Sequence, residues 1–332
     1  VQRPATIYDV AARAGVSRQT VSRAVNGLGD ISPATRERVL AVARELGYRP
    51  SRYGRGLAGA DRRLTLGLLV ADLTNPYYPE FASATVRFAA REGWNVVLVD
   101  TAAAGDPAAQ LTDLARQADA VLGYFPHAPG EAQALQGVPL VDVDPPGERH
   151  PGGVVELDPR PALAEVAVHL RAAGVRRPVL LDVERGGEPS RRFTRAREAF
   201  AAAGLALGRV RAHREDVEAG DAAAAAALRG GGSRPDALLA WNDLVALGAL
   251  AACRRLGVDV PGEVRVVGVD GLALGAWVAP RLTTLAVDMA QVAREAVDLA
   301  LALHAGDLTA GGRGAVRRVE HRLVLRDPVE VE

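Results

Sequence analysis

From Leu64 onward, short apolar runs alternate with stretches of helical spacing, and no other feature constrains the fold as strongly. "LTLGLLVAD" precedes "PEFASATVRFAAREG"; then come "WNVVLVDT", "DPAAQLTDLARQ", "ADAVLGYF" and "VPLVDVD". After "GGVVELD" a second set begins with "PALAEVAVHLRAAG" and "RPVLLDVE". It continues through "SRRFTRAREAFAAAG", "DAAAAAALRGG", "DALLAWND", "LVALGALAACRRLG" and "VRVVGVDG". Near-continuous apolar runs flanked by helices suit strands covered on both faces, the pattern of parallel α/β sheets. Two such sets predict two lobes. Ligands of open parallel sheets bind beyond the C-terminal ends of the strands, so a cleft between the lobes is the expected site.

Composition narrows the class. The 332 residues are 48% hydrophobic and 24% charged, which suits a globular chain with buried cores. Aromatics are only 4%, so Ala, Val and Leu must fill those cores. One cysteine, Cys253, excludes a disulfide framework, and the six His show no metal-ligand spacing; neither a metal nor a cofactor is expected. The longest apolar run, "LTLGLLVADL", is broken by Asp72 and is too short to span a bilayer. No apolar signal region opens the chain, so a cytoplasmic location is expected. The net charge of zero hides an asymmetry: residues 1–63 hold 12 Arg against five acids, and the remainder 28 Arg against 35 acids. A basic head on an acidic body suggests a polyanion-binding module. All 40 basic residues are Arg, which weakens the inference from any single one.

Within the head, Thr6 with Asp9 three residues on reads as a helix start, and Ile7, Val10, Ala11 and Ala14 as its buried side. Gly15 stands where a sharp turn needs positive φ. Ser17 is positioned to cap a second helix that buries Val21 and Val25 and stops at Asn26-Gly27. "SPATRERVLAVARELGY" predicts a third, capped by Ser32, begun by Pro33, buried along Val39, Val42 and Leu46, and ended by Gly47. Two short helices joined by a tight turn and braced by a third form a helix-turn-helix. The alternative is a three-helix bundle with a solvated polar face. In the first reading Arg18 and Gln19 lie at the end of the second helix that enters the major groove, Arg suited to guanine and Gln to adenine. Ser17, Thr20, Ser22 and Asn26 suit phosphates.

"TIYDVAARAGVSRQTVSRAVNG" resembles, nearly residue for residue, the N-terminal DNA-binding segment of the LacI family of bacterial repressors. The likeness continues through "SPATRERVLAVARELGYRP" and more loosely to the C-terminus. It implies an all-α helix-turn-helix head joined to an α/β two-lobed body with parallel sheets, like a periplasmic binding protein. The expected boundaries are 1–48 for the DNA-binding domain, 49–63 for a hinge segment and 64–332 for effector binding and dimerisation. DNA contacts are implied for Thr6, Ser17, Arg18, Gln19, Thr20, Ser22, Arg23 and Asn26.

"RPSRYGRGLAG" carries Gly54, Gly56 and Gly59 in the G-x-G-x-x-G spacing of a dinucleotide site. That reading needs a strand before and a helix after; here a helix precedes and a strand follows, so it is rejected. The bland reading is a linker. The resemblance implies a hinge helix that folds on operator DNA, with Ser51 as cap, Arg55 on the backbone or groove, and Leu57 wedged between base pairs. Family members usually carry Ala at the place of Gly54 and a non-Gly residue at Gly56. Each Gly costs roughly 0.5–1 kcal/mol of helix relative to Ala.

At the strand ends, "ADLTNPYY", "AWNDLVALGAL" and "VPGEVRVVGVDG" resemble family segments, and "PRLTTLAVD" a return crossover. Asp72, Asp100-Thr101, Asn242-Asp243 and Asp270 are expected to converge on one mouth; taken singly, each is a capping or turn residue. The effector residues proposed are Asn75, Tyr77, Arg192, Trp241, Asn242 and Asp270, with Arg192 where many members place an effector-binding Arg. Their donors and acceptors suit a compact hydroxyl-rich molecule, a sugar ahead of a purine, with Tyr77, Tyr78, Phe125, Trp241 and Trp277 as stacking surfaces. Three departures bear on the effector: Gly271 follows Asp270 where a second acid is common, Arg195 replaces a usual Gly, and Pro159 a usual Asn.

The expected function is a transcriptional regulator, a repressor whose affinity for an inverted-repeat operator is changed by a small polar effector. A homodimer is expected, because "RLVLRDPVEVE" leaves no room for a tetramerising heptad tail. The alternative is the solute-binding protein of a sugar importer, which would need an export signal and not the basic head. An enzyme is disfavoured by the lack of Walker, G-x-S-x-G, triad or metal-cluster spacing.

Overall fold

The computed structural model describes residues 7–25, 31–46, 63–102, 107–125, 135, 137–146, 152–183, 188–230 and 233–326. They fall into two compact units, Val1–Leu64 and Thr65–Glu332.

The first unit holds α1 (Ile7–Ala14), α2 (Arg18–Val25) and α3 (Pro33–Glu45). Their common core is Val10, Ala11, Ala14, Val21, Ala24, Val39 and Ala43. Gly15 turns the chain between α1 and α2 at φ +66, a conformation costly for side chains with a Cβ. Ser17 Oγ accepts the Thr20 N–H at 3.1 Å, and Ser32 Oγ that of Thr35 at 3.2 Å, so both expected caps form. Each such cap is worth about 1 kcal/mol. One expectation shifts: Ala24 is fully buried beside Val21, while Val25 is only partly covered. A helix wedged against two others buries a broader stripe than an i, i+4 pair, and small Ala24 lets it approach closely.

The second unit contains two six-stranded sheets. The first, in spatial order, is β11 (Val316–Glu320), β5 (Gly153–Asp158), β4 (Leu140–Val143), β3 (Ala120–Gly123), β1 (Thr65–Val70) and β2 (Asn95–Asp100). The second is β12 (Arg322–Val324), β10 (Thr283–Ala286), β9 (Arg265–Asp270), β8 (Ala237–Ala240), β6 (Pro178–Val183) and β7 (Gly208–Ala212). All described pairings are parallel except that of β10 with β12. Residues of β3, β8 and β10 are buried throughout, as strands between two helical layers must be.

The helices are α4 (Tyr77–Arg91), α5 (Pro107–Gln117), α6 (Arg160–Ala172), α7 (Arg191–Ala202), α8 (Val217–Arg229), α9 (Asp243–Leu256) and α10 (Met289–Ala305). The chain crosses between lobes three times: from β5 into α6, from β10 into α10, and from β11 into β12. The repeat pattern marked the first set and most of the second. It left out β7, β10, α10, β11 and β12; the return to the first lobe came only from the likeness of "PRLTTLAVD", which spans β10 and ends at Asp288, the cap of α10.

Poverty in aromatics is answered by close helix approach. A Cβ on Gly220 of α8 would lie 2.3 Å from the Val245 carbonyl oxygen, and one on Gly248 of α9 would lie 2.0 Å from that of Val217. These two helices therefore touch backbone to backbone. Gly248→Ala should force them apart and lower unfolding stability by about 1–3 kcal/mol in urea denaturation. Gly230→Ala, whose added Cβ would meet an ordinary contact at 3.4 Å, should change little. Equal losses in the two variants would count against this packing.

Candidate functional site

In the head, α2 presents Ser17, Arg18 and Gln19 to solvent at or beside its N-terminus, with Thr20, Ser22 and Arg23 partly covered one turn on. The Ser17 and Thr20 hydroxyls lie 2.9 Å apart. Arg18 donates to the Tyr8 hydroxyl at 2.8 Å and sits 4.9 Å from the centre of its ring. Tyr8 is 60% exposed on α1, so an aromatic platform holds the Arg18 guanidinium at the surface. Sequence reasoning missed Tyr8, whose only local signal was an aromatic residue placed on the polar side of α1. Thr6, Asn26, Arg55 and Leu57, with hinge residues 49–62, lie outside the described residues.

Register places the body's candidates. In the first lobe Val70 pairs with Asp100 and Leu69 with Gly123, so the segments after β1, β2 and β3 leave from one sheet edge. Asn75 is buried and accepts the Tyr77 N–H at 3.1 Å, fixing the entry to α4. The Tyr77 hydroxyl meets that of Tyr124 at 2.7 Å. Tyr77, Tyr78 and Tyr124 pack edge to face, with ring centres 5.2–5.7 Å apart. Burial pushes both Tyr77 and Tyr124 well above the usual phenol range. The charge of Asp270, from the second lobe, adds to the rise at Tyr77. The two lobes thus bring these groups into one electrostatic neighbourhood.

Asp72 and Asp100 turn inward on their own loops. Asp72 accepts the Thr74 N–H at 2.8 Å and its hydroxyl at 2.6 Å; Asp100 accepts from Leu73 at 3.2 Å and Ala102 at 3.0 Å. Both fit the turn role better than ligand contact. Phe125 packs in the core with Leu69, Leu111 and Val121, so it offers no stacking face. Trp277 is 86% exposed after a short 3-10 turn, Ala273–Ala276, and no cleft encloses it.

The second lobe gathers Arg192, Trp241, Asn242 and Asp270 at its strand ends. Ser190 caps α7 by accepting the Phe193 N–H at 2.9 Å and is itself bonded to buried Asp182, which anchors the helix start. Arg192 stacks 4.5 Å from the Trp241 ring centre and donates to the Trp241 carbonyl. Asn242 uses both ends: its oxygen accepts the Val245 N–H at 2.8 Å to cap α9, and its amide donates to the Glu215 carbonyl at 3.1 Å. Asp243, buried at the first turn of α9, accepts from Gly271 at 3.0 Å, Leu272 at 2.7 Å and the Thr284 hydroxyl at 2.7 Å. It thereby holds the loop that follows Asp270. Asp270 itself has φ +122, strained for a residue with a Cβ.

Electrostatics separates these two acids. Burial raises Asp243 to about 6 against the pull of its three donors. Asp270 is raised well above the usual carboxylate range, first by burial and then by the Asp243 charge, with Arg192 opposing. Across the lobes, Asp144 at the end of β4 pairs with Arg191 at 3.1 Å, and Arg191 also donates to the Pro145 carbonyl at 2.9 Å. Asp144, Arg191 and Tyr124 were not foreseen; an acid directly after an apolar strand was the available signal for the first. Among the described residues no group of three His, Cys, Asp or Glu is placed to hold a metal ion, and no helix is long and apolar enough to cross a membrane.

Because its folded-state proton affinity is raised, Asp270 costs stability once pH passes its unfolded pKa and the folded protein resists ionisation. Asp270→Asn removes that cost. Its melting temperature relative to the parent chain should be near parity at pH 4 and rise steadily toward pH 7.5, followed by calorimetric scans (about 3.9 is the ordinary Asp value). A difference that stays flat across this window would refute the strained-acid reading.

Residues 6–51 match the model of bacterial regulatory proteins of the lacI family, and residues 167–328 that of a periplasmic binding protein-like domain. The chain is 32% identical over 297 residues to the HTH-type transcriptional regulator MalR of Streptomyces coelicolor, covering 84% of each. Its fold is similar to that of a LacI family transcriptional regulator from Arthrobacter sp. FB24 in complex with lactose, with TM-score 0.74 and 34% identity over 81% of this chain and 100% of that one. It is also similar to the lac repressor dimer bound to operator and the anti-inducer ONPF, with TM-score 0.76 and 27% identity over 98% of both chains. Of the two structural matches, the one to the lac repressor dimer runs over nearly the whole chain, the three-helix unit and the two-sheet unit together. The chain belongs to the LacI family of bacterial regulatory proteins.

Proposed function

We propose that the chain is a transcriptional repressor that reads an inverted-repeat operator as a homodimer and releases it when a sugar or sugar derivative binds between its lobes. The observation that carries this reading is the exposed N-terminal end of α2, where Arg18 and Gln19 stand clear of a small, fully packed three-helix core. A reading helix needs such an end and such a brace. The lactose complex and the operator complex of the two structural relatives support the carbohydrate and DNA partners. The reading assigns no catalysis and no cofactor. It keeps 1–48 as the DNA-binding domain, 49–63 as the hinge and 64–332 as the effector-binding and dimerisation body.

For the head, Arg18 and Gln19 act as base readers, while Ser17, Thr20, Ser22 and Arg23 position the helix on phosphates. For the cleft, Arg192 and Asp270 supply the polar contacts, Tyr77 and Trp241 the ring faces, and Asn75 and Asn242 hold the loops that carry them. Asn242, with both polar ends engaged, acts through its neighbours. The solute-binding alternative leaves α1–α3 without a role.

Binding to operator variants tests the head. Arg18→Ala and Gln19→Ala should each cost roughly 1–3 kcal/mol on the preferred site and relax preference at one base pair. The logarithm of affinity should fall linearly with the logarithm of salt concentration, as counterions are released from the contacted phosphates. Unchanged sequence profiles in both variants would remove α2 as the reader.

Calorimetry against mono- and disaccharides, with and without operator, tests the cleft. A bound sugar should weaken operator binding, and operator should weaken the sugar by the same factor. Asp270→Ala and Arg192→Ala should lose the response and keep operator binding. Light scattering should give a dimer mass; a monomer or tetramer would contradict the assembly. Retention of the full sugar response by both cleft variants would move the site elsewhere.

A further inference from the structure

Three arginines line one pocket beside the lobe junction, together with Asp144, Glu156 and Asp158. Arg160 and Arg191 are neutralised. Asp158 takes Arg160 through two bonds, at 2.6 and 2.7 Å. Asp144 takes Arg191, and Glu156 is held by Arg318 at 2.9 Å. All three carboxylates are therefore engaged elsewhere. Arg195, half-buried one turn beyond Arg191 on α7, has neither a hydrogen bond nor an ion pair among the described residues. Its five donors face a pocket whose acids are already used.

A partly desolvated guanidinium without a partner is unfavourable, and an anion entering the pocket would relieve it. Arg195 is itself held below the usual guanidinium range, first by burial and then by Arg191, with the charges of Asp144 and Asp158 opposing without bonding it. Burial, with Arg192 and Arg195 adding to it and Asp158 opposing, holds nearby His321 down to about 4, so that histidine is neutral near pH 7 and leaves the arginines as the cationic donors there. The pocket reaches from the end of β4 to α7, the helix that also carries Arg192, so a group seated there would lie beside the cleft and touch both lobes.

We propose that Arg195 forms an anion subsite and that the effector is an acidic carbohydrate, one bearing a carboxylate or a phosphate. This rests on the carbohydrate reading given above, which names no charge on the sugar. Arg supplies planar, paired donors that fit either group, so the two oxyanions share the recognition and differ in size and charge.

Calorimetry on the full chain tests it with matched pairs: glucose with glucuronate and glucose 6-phosphate, galactose with galacturonate and galactose 6-phosphate. In at least one set, an acidic member should bind about tenfold or more tightly than its neutral parent, the order of one charge-assisted hydrogen bond. That advantage should shrink at high salt. Arg195→Gln should bring the two to within about threefold, and Arg195→Lys should retain part of the preference. The proposal is overturned if the neutral sugar binds as tightly in every set, or if Arg195→Gln keeps the preference. Inorganic phosphate alone separates the two readings. If no sugar binds but phosphate raises the melting temperature of the parent chain and not of Arg195→Gln, the anion subsite stands and the carbohydrate reading falls. If neither sugars nor phosphate bind, both fall.

Discussion

Parallel strands need helices on both faces, so the strand ends are the edges left for a site, and here the lobe crossings leave from those same edges. β5, β10 and β11 each hand the chain to the other lobe from their C-terminal ends. The crossings are bonded to strand ends and not merely strung past them. The His321 N–H donates to the Asp158 carbonyl at 2.9 Å, and the Val287 N–H to the Asp270 carbonyl at 3.2 Å. Asp270, which the proposed function places on the effector, thus holds a crossing segment through its own carbonyl. Hinges that absorb rotation at a few element-terminal residues are the common means of lobe closure.

The polar groups at these edges divide by what else they do. Asn242 caps a helix with one end and ties a loop with the other, and Asp243 accepts three donors from the turn after β9. Both are spent on positioning. Asp270 sits on the loop that Asp243 fixes, at positive φ, with Arg192 the cation that tempers its charge. A buried acid next to another acid resists ionisation, so it gains most from a partner that donates hydrogen bonds. Hydroxyl groups do so without bringing a second charge.

The head was legible because its determinants are local. A serine three residues before a threonine N–H, a glycine between two short helices and a repeat of small apolar residues each specify their own neighbourhood, and Ser17, Gly15 and Val10 all stand as read. The alternation of the body was equally local. What escaped depends on distant partners. β7 reads "GRVRA", a half-exposed edge strand whose arginines mask its period. The sequence of α10 is plainly helical, but its return to the first lobe follows from the path of β10 and not from its own residues. Phe125 looked available as an aromatic at a strand end, and only the packing of Leu111 and Leu114 against it makes it core. Asp72 and Asp100 carried the same signal as Asp270 and differ in which N–H groups fall within reach.

The helix α7 shows how one element can serve three ends. Its start is fixed by Ser190 on buried Asp182, so its first turn is a rigid mount. From that mount Arg191 reaches the first lobe, Arg192 lies on Trp241 in its own lobe, and Arg195 enters the pocket beside them. Arg191 spans the lobes directly, through its pair with Asp144 and its bond to the Pro145 carbonyl, and the two paired side chains are 40% and 32% exposed. Ion pairs that open to water contribute little, about 0–1 kcal/mol, and salt screens them. Such a pair can orient the lobes without locking them. Under the proposed function, a ligand held by Asp270 and Arg192 on one side and the tyrosines on the other would add contacts that the weak pair does not supply, and so would set the angle between the lobes. A strong bridge at Arg191 would have fixed the angle with or without ligand and left nothing to regulate.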